Sequence, residues 1–104
     1  MITVITSFKI NPSITLEKAR QLFADSAPKF LNKEGLLRKF FLLSEDETTG
    51  AAVYIWKDRQ HAGAFFTEAW TQFIQGKYGY LPEVAYYECP VEVDNILGII
   101  KKDD

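Results

Sequence analysis

Histidine, tryptophan and basic side chains are the residue types in this sequence that could perform chemistry. His61 is the single histidine of the chain, and an imidazole can act as a general base near neutral pH. It is predicted to lie in the first turn of a helix, where the helix dipole disfavours its charged form, so an exposed structural role is the competing interpretation. Trp56 lies just before this helix, on a predicted strand. We take His61 and Trp56 as the candidate catalytic residues.

Aromatic residues around Trp56 predict a binding pocket. Tyr54 and Trp56 share one face of their strand, because alternate residues of a strand point the same way. A phenol hydroxyl and an indole N–H can together orient a polar group on an aromatic ligand, although plain packing between sheet and helix is the alternative. The next helix adds aromatic side chains that either line the same pocket or fill the core: Phe65, Phe66 and Trp70.

Two adjacent cations interrupt an apolar strand. Arg38 and Lys39 must point to opposite faces, so one of them faces a buried or interfacial region. A buried cation needs a partner or a bound anion. Arg38 is our candidate for holding a phenolate or carboxylate of the substrate, and an ion pair with Glu88 on the last strand is the alternative. The alternation alone does not distinguish which of the two cations faces the pocket.

Composition excludes several classes of function. The formal net charge is −2, and no basic stripe suits a nucleic acid. No apolar stretch reaches the roughly 20 residues that cross a bilayer, and no signal peptide is expected. One histidine and one cysteine without ligand spacing predict no metal site, and no cofactor is expected. Cys89 has no partner for an internal disulfide, which suits a cytoplasmic location.

Hydrophobic periodicity predicts a single domain over residues 1–104 with the element order β-α-β-β-α-β. This order is typical of the ferredoxin-like α+β fold, a four-stranded antiparallel sheet with two helices on one face. Pro28 lies late in the first helix, which either kinks there or restarts for its last turn. The predicted strands are 2–9, 36–44, 51–57 and 84–91, and the predicted helices run to about 31 and from 59 to about 75.

The second face of this sheet has no cover of its own. The second and fourth strands are apolar or aromatic on both sides, and a large apolar face does not stay in water. The simplest cover is the same face of a second copy, which predicts a homodimer through the sheet faces. The apolar segment Ile96–Ile100 is expected to reach across to that partner.

Three stretches, Gly35–Phe41, Tyr54–Phe65 and Val84–Cys89, resemble the dimeric α/β-barrel superfamily in its small-monooxygenase (antibiotic-biosynthesis-monooxygenase-like) branch. They match the family's second strand, its third strand running into the second helix, and its closing strand, so the resemblance spans nearly the whole chain. It implies a homodimer with a barrel between the two sheets and a pocket between helices and sheet in each subunit.

The same resemblance argues against haem degradation. Relatives with that activity carry an Asn in the first strand and a Trp–His pair about ten residues apart. Here Trp56 is in a suitable place, but Phe66 stands where the histidine would be, and Ile2–Lys9 contains no Asn. Haem breakdown is therefore not expected of this chain.

The resemblance and the candidate residues together predict a cofactor-independent, monooxygenase-like enzyme acting on a small aromatic or polyketide-like substrate. Such an enzyme binds the ring and stabilises its deprotonated form, while the substrate itself reduces dioxygen. A non-catalytic dimer that binds a small apolar ligand or takes part in a stress response is the alternative. Lyase or isomerase chemistry on the same scaffold is a third possibility.

Overall fold

A computed structural model describes residues 1–103, which build an antiparallel sheet with helices on one face. The sheet has four strands in the order β2-β3-β1-β4, so β3 and β1 are the two inner strands and supply most of its buried residues. This confirms the predicted ferredoxin-like α+β fold. The strands are β1 Ile2–Lys9, β2 Leu36–Leu43, β3 Thr49–Trp56 and β4 Glu83–Glu88.

The first helix, α1, covers Leu16–Ser26. It begins where the Thr15 hydroxyl accepts a hydrogen bond from the backbone N–H of Lys18 at 3.1 Å, which satisfies one of the free donors at a helix start. A short 3₁₀ turn follows over Ala27–Phe30. Pro28 has no N–H to continue the α-helical ladder, so the chain restarts in this tighter form.

The second predicted helix is in fact two helices, α2 Arg59–Phe65 and α3 Glu68–Tyr78. The break comes at Thr67, whose extended backbone (φ −92°, ψ 172°) leaves the helix. Its hydroxyl accepts from the N–H of Trp70 at 3.2 Å and starts a new helix. A threonine followed by a glutamate is a helix-start signal, and here it outweighs the continuous apolar periodicity that predicted one helix.

The last predicted strand also ends earlier than expected, at Glu88. Pro90 cannot donate to the sheet, and the chain beyond it forms a separate hairpin of β5 Val91–Asp94 and β6 Ile99–Lys102. The Asp94 carboxylate closes the turn by accepting from the N–H groups of Ile96 and Leu97 at 2.9 and 3.0 Å. The apolar side chains of this hairpin are exposed, and Ile96 is 94 % exposed.

The two faces of the sheet differ in cover. The inner face, beneath the helices, buries Val4 and Trp56 completely. On the outer face, Val53 pairs with Ile5 on one side and with Phe40 on the other. Ile5 and Phe40 remain 41 % and 50 % exposed, so an apolar row crosses the outer face without cover from this chain.

Gly35 immediately precedes β2 and contacts His61 at the start of α2. Its φ of +80° lies in the left-handed region, and a Cβ there would sit 2.3–2.5 Å from atoms of the His61 side chain. Its carbonyl also accepts from the N–H of Lys57 at 2.7 Å. Glycine is therefore required here both by the backbone angle and by the contact with the imidazole.

Substituting Gly35 with alanine is expected to lower the free energy of unfolding by about 3 kcal/mol, since both strain and a clash are introduced. Gly76→Ala is the matched control, because its added Cβ meets nothing within 4 Å inside α3. That control should gain about 0.5–1 kcal/mol from helix propensity. Urea unfolding of both variants gives the comparison, and equal stabilities would refute the role assigned to Gly35.

Candidate functional site

A cavity of about 280 Å³ lies between the inner face of the sheet and the helices. This volume is close to the lower end of the roughly 300–1,000 Å³ found for small-molecule sites. Its walls are mainly aromatic, which suits a flat unsaturated ligand. Rings from both layers contribute, among them Phe30, Phe41, Tyr54, Phe65, Trp70 and Phe73.

Lys39 is the charged side chain that enters this aromatic space from the sheet. Strand pairing sets it opposite Tyr54 on the inner face. Its Nζ lies 3.5, 3.9 and 4.5 Å from the ring centroids of Phe30, Phe41 and Tyr54. Burial, assisted by the neighbouring charges of Lys77 and Lys29, lowers the pKa of Lys39 to about 7. A substantial share of this amine is therefore neutral at physiological pH.

Three more lysines line the cavity. The Nζ of Lys29 lies 5.7 Å from the ring centroid of Phe73, and that of Lys33 lies 5.2 Å from that of Phe65. Lys77, on α3, also lines the cavity. No aspartate or glutamate of residues 1–103 is among the lining side chains. Like charges that are not neutralised make the cavity attractive to an anion.

Tyr54 and Thr6 form the floor of the cavity. Both are almost fully buried, at 3 % and 2 % exposure. Burial raises the pKa of Tyr54, and a hydrogen bond with the Thr6 side chain opposes that shift only in part. The phenol therefore stays protonated at physiological pH. Thr6 could have been predicted from the sequence, because it follows Ile2 and Val4 at alternate positions and is therefore a polar residue on the buried face of β1.

The structure brings some of the predicted site residues together and separates others. Tyr54, Phe65 and Trp70 line the cavity. Trp56 and Phe66 do not, and they instead form the packing behind it: Trp56 stacks on Tyr54 at 6.1 Å, and Phe66 meets Trp70 edge-on at 5.0 Å. The Trp56 indole nitrogen is buried without a hydrogen-bond partner among residues 1–103.

His61 lies outside the cavity, at the start of α2. Its Nδ1 is 2.7 Å from a carboxylate oxygen of Asp58, which also accepts from the His61 backbone N–H at 2.9 Å. That backbone hydrogen bond is the main reason why the pKa of Asp58 is lowered. Nε2 lies 3.9 Å from a carboxylate oxygen of Glu34. The imidazole thus links the helix start to the Gly35 turn rather than facing the aromatic cavity.

The placement of Arg38 in the pocket is corrected by the structure. Arg38 points to the outer face, where it borders a shallow groove with Asp94 and Ile96 of the hairpin. The partner considered for it, Glu88, lies on β4 at the opposite edge of the sheet. Lys39 takes the inner position because strand alternation gives the two cations opposite faces, and register with Tyr54 selects the lysine.

Within residues 1–103 no group of three or more His, Cys, Asp or Glu side chains is arranged to hold a metal ion. None of the helices in those residues has the length and apolar character needed to cross a bilayer.

Comparison with known proteins supports the fold. No family model matches the chain, and no curated protein matches it significantly. Among solved structures it is similar to a putative antibiotic biosynthesis monooxygenase from Deinococcus radiodurans, with a TM-score of 0.64 and 16% sequence identity over 90% of this chain and 97% of the other. At this identity the likeness establishes the fold alone. At the level of the fold the predicted resemblance is thus confirmed: the chain has the ferredoxin-like α+β fold that this similar structure shares.

Proposed function

We propose that the protein is a cofactor-independent, monooxygenase-like enzyme that acts on a small aromatic or polyketide-like substrate in the cavity between helices and sheet. The observation that carries this proposal is Lys39, an amine inside an aromatic cavity whose other lining charges are also lysines. Such surroundings favour the anionic form of a bound phenol or enol, because a nearby cation lowers the pKa of an acid.

The substrate ring would lie against Phe30 and Phe65 and release its acidic proton to the neutral Lys39 amine. The resulting ammonium then stabilises the carbanion or enolate, which donates electrons to dioxygen. With an anthrone-type substrate, a ring CH2 becomes a carbonyl. One oxygen atom of dioxygen enters that carbonyl, and the other leaves as water with the two hydrogens of the CH2. The substrate supplies all the electrons, so no external reductant is consumed.

Oxygen uptake by purified protein tests the proposal. Anthrone is the probe, and the reaction is followed with an oxygen electrode together with mass spectrometry of the product. We expect uptake above the uncatalysed background, with one dioxygen consumed for each ketone formed. If uptake is no faster than in the protein-free control, with both anthrone and dihydroxynaphthalene, the proposed oxygenase activity is wrong.

A non-catalytic ligand-binding protein is the second candidate. The observation that favours it is that His61 and Arg38, the expected acid–base and anion-holding groups, both lie outside the cavity. Binding alone needs only the aromatic walls and the lysines. Calorimetry with 2-naphthoate, a ring anion that dioxygen does not oxidise, measures binding without turnover. Binding of 2-naphthoate in a protein that shows no oxygen uptake would establish this second candidate.

We also propose that two copies pair through their outer sheet faces. The exposed row of Ile5, Phe40 and Leu42 supports this pairing, because such a strip is costly to leave in water. The hairpin β5–β6 supports it as well, since Val93, Ile96 and their neighbours are apolar and exposed. In the pair, the hairpin of one copy would lie on its partner and cover both sets of side chains.

A cytoplasmic location is proposed on the state of Cys89. Its thiol is free and only partly exposed. A thiol without a disulfide partner suits a reducing compartment. Labelling of Cys89 with a maleimide in intact producing cells, before lysis, tests whether the thiol is kept reduced there.

A further inference from the structure

The amine of Lys39 has no carboxylate partner among the ion pairs that residues 1–103 make. Its nearest neighbours are ring faces, with the Phe30 centroid 3.5 Å from Nζ. Beside it lies the open volume of the cavity, about 280 Å³. A primary amine in such a place is accessible to a ligand in the cavity and is partly shielded from bulk water.

The protonation state of this amine sets its reactivity. With a pKa lowered to about 7, a large fraction of the Lys39 side chains is neutral at pH 7. An ordinary lysine has roughly one neutral side chain in 3,000 at that pH. A neutral amine is the nucleophile that attacks carbonyl carbon, and desolvation is a known way to activate a lysine for this reaction.

We propose that Lys39 forms an imine with aromatic aldehydes bearing an anionic group, so that the cavity takes carbonyl compounds as covalent ligands. Nζ adds to the aldehyde carbon and gives a carbinolamine. The carbon–oxygen bond then breaks, a C=N bond forms, and the oxygen leaves as water with the two hydrogens that the neutral amine carried. The net change is amine plus aldehyde to imine plus water, without any redox partner.

The groups that face Lys39 suit this reaction. Lys29 and Lys33 reach the cavity from the segment after α1, Lys77 and Tyr78 from α3, and Tyr54 from β3. The lysines attract the anionic group of the ligand, while the protonated Tyr54 phenol can donate to the carbonyl oxygen as it leaves. No carboxylate of the described chain lines the cavity to hold Lys39 in its charged form.

Reductive trapping tests this inference on the intact protein. The probe is 4-carboxybenzaldehyde with sodium cyanoborohydride at pH 7, followed by peptide mass spectrometry. The chain has eight other lysines, which serve as internal controls in the same sample. We expect modification of Lys39 at a rate at least about tenfold above the mean of the others, because of its larger neutral fraction. We also expect 2-naphthoate to suppress that modification and to leave the surface lysines unaffected.

Modification that follows solvent exposure, with Lys39 at or below the mean of the other lysines, overturns the inference. Lys39→Arg is the matched variant, since it keeps a cation but removes the amine, and it should lose the preferential adduct. Imine formation would use the same cavity as the proposed enzyme but not its reaction with dioxygen. Trapping without oxygen uptake therefore counts against the oxygenase alone, and uptake without preferential trapping counts against the imine alone.

Discussion

Replacing Lys39 with methionine is expected to lower oxygen uptake on anthrone by at least about 100-fold, the usual contribution of a general base. Methionine keeps the length of the side chain and its packing against Phe30 and Phe41, but it can neither accept the proton nor stabilise the anion. The same change removes a charge that burial separates from water, so the fold should become more stable at pH 6. After allowance for partial solvent access, we expect a gain of about 2 kcal/mol.

The stability gain should depend on pH in a defined direction. In the folded state the pKa of Lys39 is lowered to about 7, from an ordinary value of 10.5. Between these values the unfolded chain binds a proton that the folded chain does not, so wild-type stability rises with pH through this window. The advantage of Lys39→Met is therefore full below pH 7 and disappears towards pH 10.5. Urea unfolding at pH 6 and pH 10 measures both ends.

Lys18→Met is the matched control for this variant, because Lys18 is exposed on α1. It removes the same charge without touching the cavity, and both oxygen uptake and the pH dependence of stability should stay close to wild type. A Lys39→Met protein that retains its activity would show that the cavity amine takes no part in proton transfer. A stability gain that is the same at pH 6 and pH 10 would show that Lys39 is not desolvated.

Placing a carboxylate in the exposed apolar row of the sheet is expected to separate the proposed dimer. Phe40 is 50 % exposed on the outer face, midway along the edge strand β2, and Phe40→Glu would bury an unpaired charge between two copies. Loss of a buried contact together with an unpaired charge commonly costs about 3–5 kcal/mol. The dissociation constant should therefore rise by a factor of about 10³.

Size-exclusion chromatography with light scattering measures this effect at micromolar concentration. The wild-type mass should be twice the chain mass of 11.9 kDa, and Phe40→Glu should run at the single-chain mass. Leu31→Glu is the control, since Leu31 is 76 % exposed and follows the 3₁₀ turn, away from the outer face. It should remain dimeric. A wild-type protein that is monomeric under these conditions contradicts the proposed pairing.

Much of the fold follows from short-range patterns. The alternation of Ile2, Val4 and Phe8 predicts a half-buried strand, and the structure has that strand with the predicted bounds, Ile2–Lys9. The site is less predictable, since only some of the expected residues meet. Tyr54 and Phe65 line the cavity, while Trp56 and Phe66 pack behind it. All are large aromatic residues in apolar patterns, and residue type does not tell a cavity wall from the layer beneath.

The position of His61 can be predicted from the sequence, but the direction of its side chain cannot. Its position just after the cap residue Asp58 is readable from the sequence, and the structure has that cap. Whether the imidazole turns to the cavity depends on the Gly35 turn, which approaches from a distant part of the chain and holds the ring outside. A contact between Gly35 and His61, which are so far apart along the chain, follows from the tertiary structure and not from either local pattern.

Arg38 and Lys39 show most clearly what the sequence determines and what only the tertiary structure decides. The sequence by itself determined that they point to opposite faces, because side chains alternate along any strand. It also determined that Tyr54 and Trp56 share one face of the neighbouring strand. Only the tertiary structure decided that Lys39 is the cation within the cavity, since this depends on the pairing of β2 with β3 opposite Tyr54 and on which face the helices cover. A shift of one residue in that register would exchange the two cations.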